Sequence, residues 1–120
     1  LVRHGFAVDE IPALAARLGV QAVYANHDDE PAALERDQKV RGRLADAGVA
    51  LHTGKDHVVF ERNEVLTGAG TPYSVFTPYK NAWRARLTPF YLSGYRVERH
   101  AGALAPVPEG LGGVPALAAL

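Results

Sequence analysis

Val20-Gln21-Ala22-Val23-Tyr24-Ala25-Asn26-His27-Asp28-Asp29-Glu30-Pro31 places a strand directly ahead of a helix start. Val20 to Ala25 is short and mostly apolar, without the strict alternation of a strand that has one wet face. Such runs suit a strand in a parallel sheet covered on both sides. The next residues change character at once. Carboxylates at Asp28, Asp29 and Glu30 suit the positive end of a helix dipole, and Pro31 lacks the donor that would go unpaired in a first turn.

Working outward, each flank supplies a helix and a strand. Ile11, Leu14, Ala15 and Leu18 recur at the spacing of one buried helical face, with Asp9 or Glu10 as the cap, Pro12 in the first turn and Gly19 as a left-handed stop. Leu1-Val2-Arg3-His4-Gly5 ahead of it reads as the end of a strand. On the other side, Pro31 to Ala47 reads as a helix whose inner face carries Val40, Leu44 and Ala47. Arg36, Arg41, Arg43 and Asp46 lie toward water, and Gly48 closes the helix. Val49 to His52 makes a third strand and Val58-Val59-Phe60 a short further one. The resulting β-α-β-α-β order predicts an α/β fold, a Rossmann-like parallel sheet with crossover helices on both faces.

The bulk numbers agree with one domain at most. The chain has 120 residues, 48% hydrophobic and 22% charged, the balance of a soluble globular domain. A domain of this size buries only about two thirds of its unfolded surface, so its core has little margin. Thirteen basic residues against thirteen acidic ones remove the simplest electrostatic case for nucleic-acid binding by this segment. No stretch approaches the about 18 apolar residues of a membrane span, and Arg3 and His4 interrupt the only apolar start, so the expected compartment is the cytoplasm. The absence of cysteine excludes disulfides, thiolate metal sites and a cysteine nucleophile. The chain starts at Leu1 and contains no methionine, and its termini are expected to be those of a truncated reading frame or a processed fragment.

From Gly68 to Tyr79 glycine, proline, threonine and aromatics mix before a helix expected to start at Thr77-Pro78 with the threonine as cap. Tyr79, Ala82, Trp83 and Arg86 or Leu87 share one side of it, and Pro89 limits it. After Tyr95 the pattern fades, and six of the ten residues from Pro106 to Pro115 are glycine or proline, a linker composition.

The run Thr67-Gly68-Ala69-Gly70-Thr71-Pro72-Tyr73-Ser74-Val75-Phe76-Thr77-Pro78-Tyr79-Lys80-Asn81-Ala82-Trp83 resembles the end of the antenna-binding α/β domain of DNA photolyases and cryptochromes. Asn26, Asp28, Glu30-Pro31 and Arg36-Asp37, after the strand ending near Ala25, form a second match in the order that family requires. The resemblance covers about residues 1–90 as a partial antenna domain and leaves 91–120 as a Pro/Gly-rich interdomain linker. It implies a sheet ordered 3-2-1-4-5, in which the strands at Leu1, Val20 and Val49 are the third, fourth and fifth. The first two strands of the domain are then missing, so the strands at Leu1 and Val20 are not neighbours. Backbone groups left unpaired by that gap make a chain expected to be molten or to aggregate by itself.

For function, the resemblance implies a light-harvesting portion of a deoxyribodipyrimidine photolyase, an enzyme that repairs cyclobutane pyrimidine dimers in DNA with light. FAD, the electron-relay tryptophans and the contact with damaged DNA belong to a helical domain that this chain lacks. The parent is expected to be a monomer without membrane attachment. Asp28 and Glu30 match acidic residues that meet an 8-hydroxy-5-deazaflavin antenna, whereas the asparagine-glutamate pair of folate-binding relatives falls on Ala32 and Ala33, with a flavin antenna or an empty pocket as the alternatives. Read from the residues alone, Asp28, Asp29 and Glu30 equally serve as a helix cap and a solvated acidic turn, and both roles coexist. Tyr73, Phe76, Tyr79 and Trp83 read as structural anchors. His52, Asp56 and His57 fit no zinc spacing, and Gly54-Lys55 lacks the glycine-rich loop of a phosphate site. A cryptochrome-type blue-light receptor shares the same domain, and a non-enzymatic nucleotide-binding Rossmann-like module is the alternative from another class.

Overall fold

The computed structural model describes residues 1–106 and 108–111. They fall into two compact units, Leu1–Asp56 with residues 108–111, and His57–Pro106.

The first unit runs α1 (Ala7–Leu18), β1 (Ala22–Asn26), α2 (Pro31–Asp46) and β2 (Ala50–Gly54). The α1 helix begins two residues before its expected acidic cap, with Phe6 at the N-cap, so Asp9 and Glu10 lie inside the first turn, where the dipole favours them. Pro12 therefore sits deeper in the helix than expected. Its missing N–H leaves the Val8 carbonyl without its intrahelical donor. Arg43 of α2 supplies one, donating from Nη1 to the Val8 oxygen at 3.2 Å, and pairs also with the Asp9 carboxylate. Gly19 ends α1 at φ 61°, as expected, and the N–H of Val20 closes the turn on the Ala15 carbonyl at 3.2 Å.

Pro31 opens α2 at its first position, and Gly48 follows its end with φ 72°, both as the sequence predicts. Ala33, Val40 and Leu44 are buried, whereas Ala47, expected on the inner face, is exposed because it is already the C-cap. Ala15, Val40, Leu44 and Leu51 form the core, with Val8, Ile11, Val20, Val23 and Val49 packed around them. Leu44, at 0% exposure, is its centre. Full burial of one leucine stabilises by about 1.5–3 kcal/mol.

The two strands pair in parallel, in register from Ala22 opposite Ala50 to Asn26 opposite Gly54. This is the adjacency expected of the family's last two strands, and the α/β class with a parallel, incomplete Rossmann-like sheet holds. Val23 and Leu51 point to the helices, while Tyr24 and His52 lie on the opposite face.

Two expected strands are absent. Residues 1–5 and 58–60 have no strand geometry, and among the described residues only β1 and β2 form a ladder. A strand exists by virtue of the donors and acceptors of a neighbouring strand, and neither segment joins a ladder. The expected β-α-β-α-β order is thus α-β-α-β.

In the second unit, Thr67 and Thr71 close a tight turn: the Thr67 N–H donates to the Thr71 carbonyl at 2.9 Å, and the two hydroxyls meet at 2.9 Å. The α3 helix (Phe76–Arg86) follows, then the short α4 (Pro89–Leu92) and a 3-10 segment, Val97–Ala103. Thr77 is not the cap. The helix starts one residue earlier with Val75 at the N-cap, and Pro78 falls where the first turn leaves N–H groups unpaired anyway. Phe60, expected in a strand, instead packs edge-on against Trp83 at 5.5 Å and Tyr91 at 4.8 Å. Tyr73 contacts Tyr79 at 6.1 Å, so these rings and Trp83 serve as anchors. Phe76 does not, being 72% exposed. Much of the stretch from Pro106 to Pro115, expected as linker, lies outside the described residues.

Candidate functional site

In a parallel sheet the carboxyl ends of the strands are where the chain turns outward and side chains converge, which is the usual place for a ligand. Here β1 and β2 end side by side at Asn26 and Gly54. Tyr24, Ala25, Asn26, His52, Thr53 and Gly54 line an open concavity of about 590 Å³ at that end. The volume falls in the range of small-molecule sites, about 300–1,000 Å³. One wall is the Tyr24–His52 pair, whose rings stack on each other with centroids 4.9 Å apart and planes at 25°, so each has its outer face free. Tyr24 is 78% exposed, so the wall is accessible.

Asp28 and Glu30 stand next to this concavity in the chain and do not line it. They belong together in one turn: the Glu30 N–H donates to Asp28 Oδ1 at 3.1 Å. That bond fixes the direction in which α2 leaves the sheet edge, with Glu30 at its N-cap and no side-chain cap of its own. Asp28 is half-buried and Glu30 exposed. The helix-cap role read from the sequence is not seen, since Glu30 sits at the N-cap without a side-chain cap bond and Asp28 accepts from the N-cap's own N–H; the Glu30 carboxylate and the second Asp28 oxygen are not used by this hydrogen bond.

Positive charge lies close by on α2. The Arg36 guanidinium is held in its protonated form above its ordinary range, first by its hydrogen bond to Asp37 at 2.8 Å, against some desolvation, and further by the charges of Asp37 and Asp28. The site therefore pairs an acidic turn with an arginine a turn and a half further along the same helix.

Between turn and concavity lies a polar bridge. The His27 N–H extends the ladder to the Gly54 carbonyl at 2.8 Å. Its Nε2 meets the Thr53 hydroxyl at 2.9 Å. Arg41 reaches up from α2 to the same hydroxyl at 3.4 Å and to the Leu51 carbonyl at 2.8 Å. Sequence reasoning passed over Tyr24, His27 and Thr53 and placed Arg41 toward water, since each is an ordinary residue for its element. Only the parity of the strands, which puts His27 and Thr53 on the face of Val23 and Leu51, hinted at their meeting. His52 does not join Asp56 and His57 in a metal cluster: among the described residues no three His, Cys, Asp or Glu side chains converge. Gly54 is followed by no helix before the 3-10 turn at Arg62–Glu64, so Gly54-Lys55 lacks the strand-to-helix setting of a phosphate loop. No helix among the described residues is long and apolar enough to cross a membrane.

The sequence model of the DNA photolyase family matches residues 1–106. Among curated proteins, a deoxyribodipyrimidine photo-lyase of Halobacterium salinarum is 41% identical over 72% of this chain and 18% of its own length. That of a Synechococcus species is 38% identical over 66% of this chain and 16% of its own. A cryptochrome DASH of Natronomonas pharaonis is 32% identical over 100% of this chain and 24% of its own. The chain thus spans about a sixth to a quarter of the length of these relatives.

Proposed function

This chain belongs to the DNA photolyase family, and we propose that within it residues 1–90 act as part of an antenna domain, residues 91–120 as a connection, and Asp28 and Glu30 as contacts to the antenna chromophore. One observation carries the reading: the Asp28–Glu30 turn leaves the sheet at the carboxyl end of β1, beside an open concavity lined by the stacked Tyr24–His52 ring pair.

The donor set fits 8-hydroxy-5-deazaflavin. That molecule is planar and bears N–H and carbonyl groups along one edge. The rings of Tyr24 and His52 offer a stacking surface, the carboxylates of Asp28 and Glu30 accept from N–H, and Asn26 offers both a donor and an acceptor. When bound, the antenna would absorb light and pass excitation to reduced FAD in a helical domain, for the splitting of cyclobutane pyrimidine dimers. This chain's part is to hold and orient: the Asx turn of Asp28 ties Asp28 and Glu30 into one turn, with the Arg36 guanidinium close enough to feel the Asp28 charge. Ala32 and Ala33, where folate-binding relatives have an amide and a carboxylate, offer no such groups. The parent is proposed to be a cytoplasmic monomer that meets damaged DNA through the helical domain.

The test uses the full-length protein stripped of chromophore and offered 8-hydroxy-5-deazaflavin, FMN or a methenyl-folate. Deazaflavin is expected to be retained and to appear in the excitation spectrum of flavin-dependent repair. Retention of the folate instead, or unchanged deazaflavin affinity in an Asp28→Asn, Glu30→Gln double variant, overturns the assignment. A cryptochrome-type receptor is the second reading, since a cryptochrome DASH is among the relatives. Absence of dimer repair by the full-length protein under illumination would select it.

A further inference from the structure

His27 is the last residue of β1's ladder, one step beyond the strand proper, and the acidic turn starts immediately after it. Strand parity puts its ring on the helix-covered face beside Thr53, and both residues are half-buried. The Thr53 hydroxyl has one proton and two lone pairs. Arg41 only donates, so it takes one lone pair, and the Thr53 proton and second lone pair remain to meet His27 Nε2, 2.9 Å away, in either tautomer of the ring. The Arg41 fork is itself anchored on the Leu51 carbonyl at 2.8 Å. One hydroxyl thus joins α2, β2 and the exit of β1.

We propose that Thr53 is a positioning residue for the Asp28–Glu30 turn: its hydroxyl, oriented by Arg41, holds His27 and so sets where the two carboxylates stand. This deepens the antenna-site reading and rests on it for its functional consequence. The physical basis is pre-organisation, since a turn already held in its bound geometry loses less entropy when a ligand arrives. Valine in place of Thr53 keeps the branched shape and removes the hydroxyl, taking this hydrogen bond away from the half-buried His27 ring.

The experiment compares wild type, Thr53→Val, Thr53→Ser and His27→Leu in the full-length protein. Hydrogen exchange is read at the amides of His27 and Glu30, which are protected by Gly54 and Asp28. Exchange at both is expected to rise about three- to tenfold in Thr53→Val, the effect of losing one hydrogen bond. Thr53→Ser must restore it, and His27→Leu must reproduce the Glu30 effect from the other side should Thr53→Val fail to fold. Unchanged exchange in Thr53→Val, or failure of serine to restore it, overturns the proposal. The deazaflavin dissociation constant is measured in parallel and is expected to weaken several-fold in Thr53→Val. If the wild type takes up no deazaflavin, the antenna reading falls, while the exchange data still decide the role of Thr53.

Discussion

Arg43 repairs the hydrogen bond that Pro12 removes from α1: the carbonyl of Val8, which would accept from residue 12, accepts instead from Arg43 Nη1 at 3.2 Å. The same guanidinium pairs with Asp9, so one α2 side chain ties the first turn of α1 to α2.

This relationship makes the effect of Arg43 depend on Pro12. Arg43→Ala is expected to destabilise by about 1 kcal/mol, the net worth of such a bond. In a Pro12→Ala background the substituted residue regains a backbone N–H that satisfies the Val8 carbonyl. The cost of Arg43→Ala should then fall by about half, with only the Asp9 pair left to lose. A double-mutant cycle by urea denaturation measures this. Strict additivity of the two substitutions would contradict it.

Leu44 is the single point on which the first unit depends most. It is fully buried, and the core around it is small. Leu44→Ala is expected to cost about 2–5 kcal/mol, enough against a core of this size to broaden the thermal transition and lower the denaturant m-value. Circular dichroism melts and urea titrations read both.

The Glu35 carboxyl is held below its ordinary value by the Lys39 ammonium, 2.6 Å away at i+4, through the hydrogen bond first and the charge second. A carboxyl depressed in the folded state stabilises above its unfolded-state value, and that contribution disappears as pH falls through the folded one. The pair is fully exposed, so its effect is small and screened by salt. In Lys39→Gln the Glu35 titration, followed by carbon-detected NMR, should move up toward the ordinary carboxylate range. Raising salt to molar levels should move it the same way in the wild type.

Asp28 carries two separable roles, an acceptor for the Glu30 N–H and a charge near Arg36. Asp28→Asn keeps the acceptor and removes the charge, whereas Asp28→Ala removes both. The helix start should survive the first and fray in the second, seen as faster amide exchange at Glu30. Chromophore affinity in the full-length protein is expected to drop in both, by about tenfold for the loss of one charge-assisted hydrogen bond. Equal affinity of Asp28→Asn and wild type would remove Asp28 from the contacts.

Much of the first unit was legible because its signals are local. Pro31 at a helix start, Gly19 and Gly48 at helix ends, and the apolar spacing of Ala15, Val40 and Leu44 follow from backbone sterics and from burying one face of a helix. Local signals misplaced the helix caps, by three or four residues at Phe6 and by two at Val75, because capping preferences are weaker than the packing that selects the first turn.

The chain's residue order determined, without any coordinates, the α/β class, the family, and the acidic turn at the end of β1. These depend on neighbours a few residues apart and on motifs in fixed order. Whether an apolar run becomes a strand was decided only by tertiary structure: β1 and β2 found each other, and residues 1–5 and 58–60 join no ladder among the described residues. The same holds for Arg43 on Val8 and for Thr53 between Arg41 and His27. A hydrogen bond between residues tens of positions apart has no periodicity to betray it, and arises only when packing brings donor and acceptor to within about 3 Å.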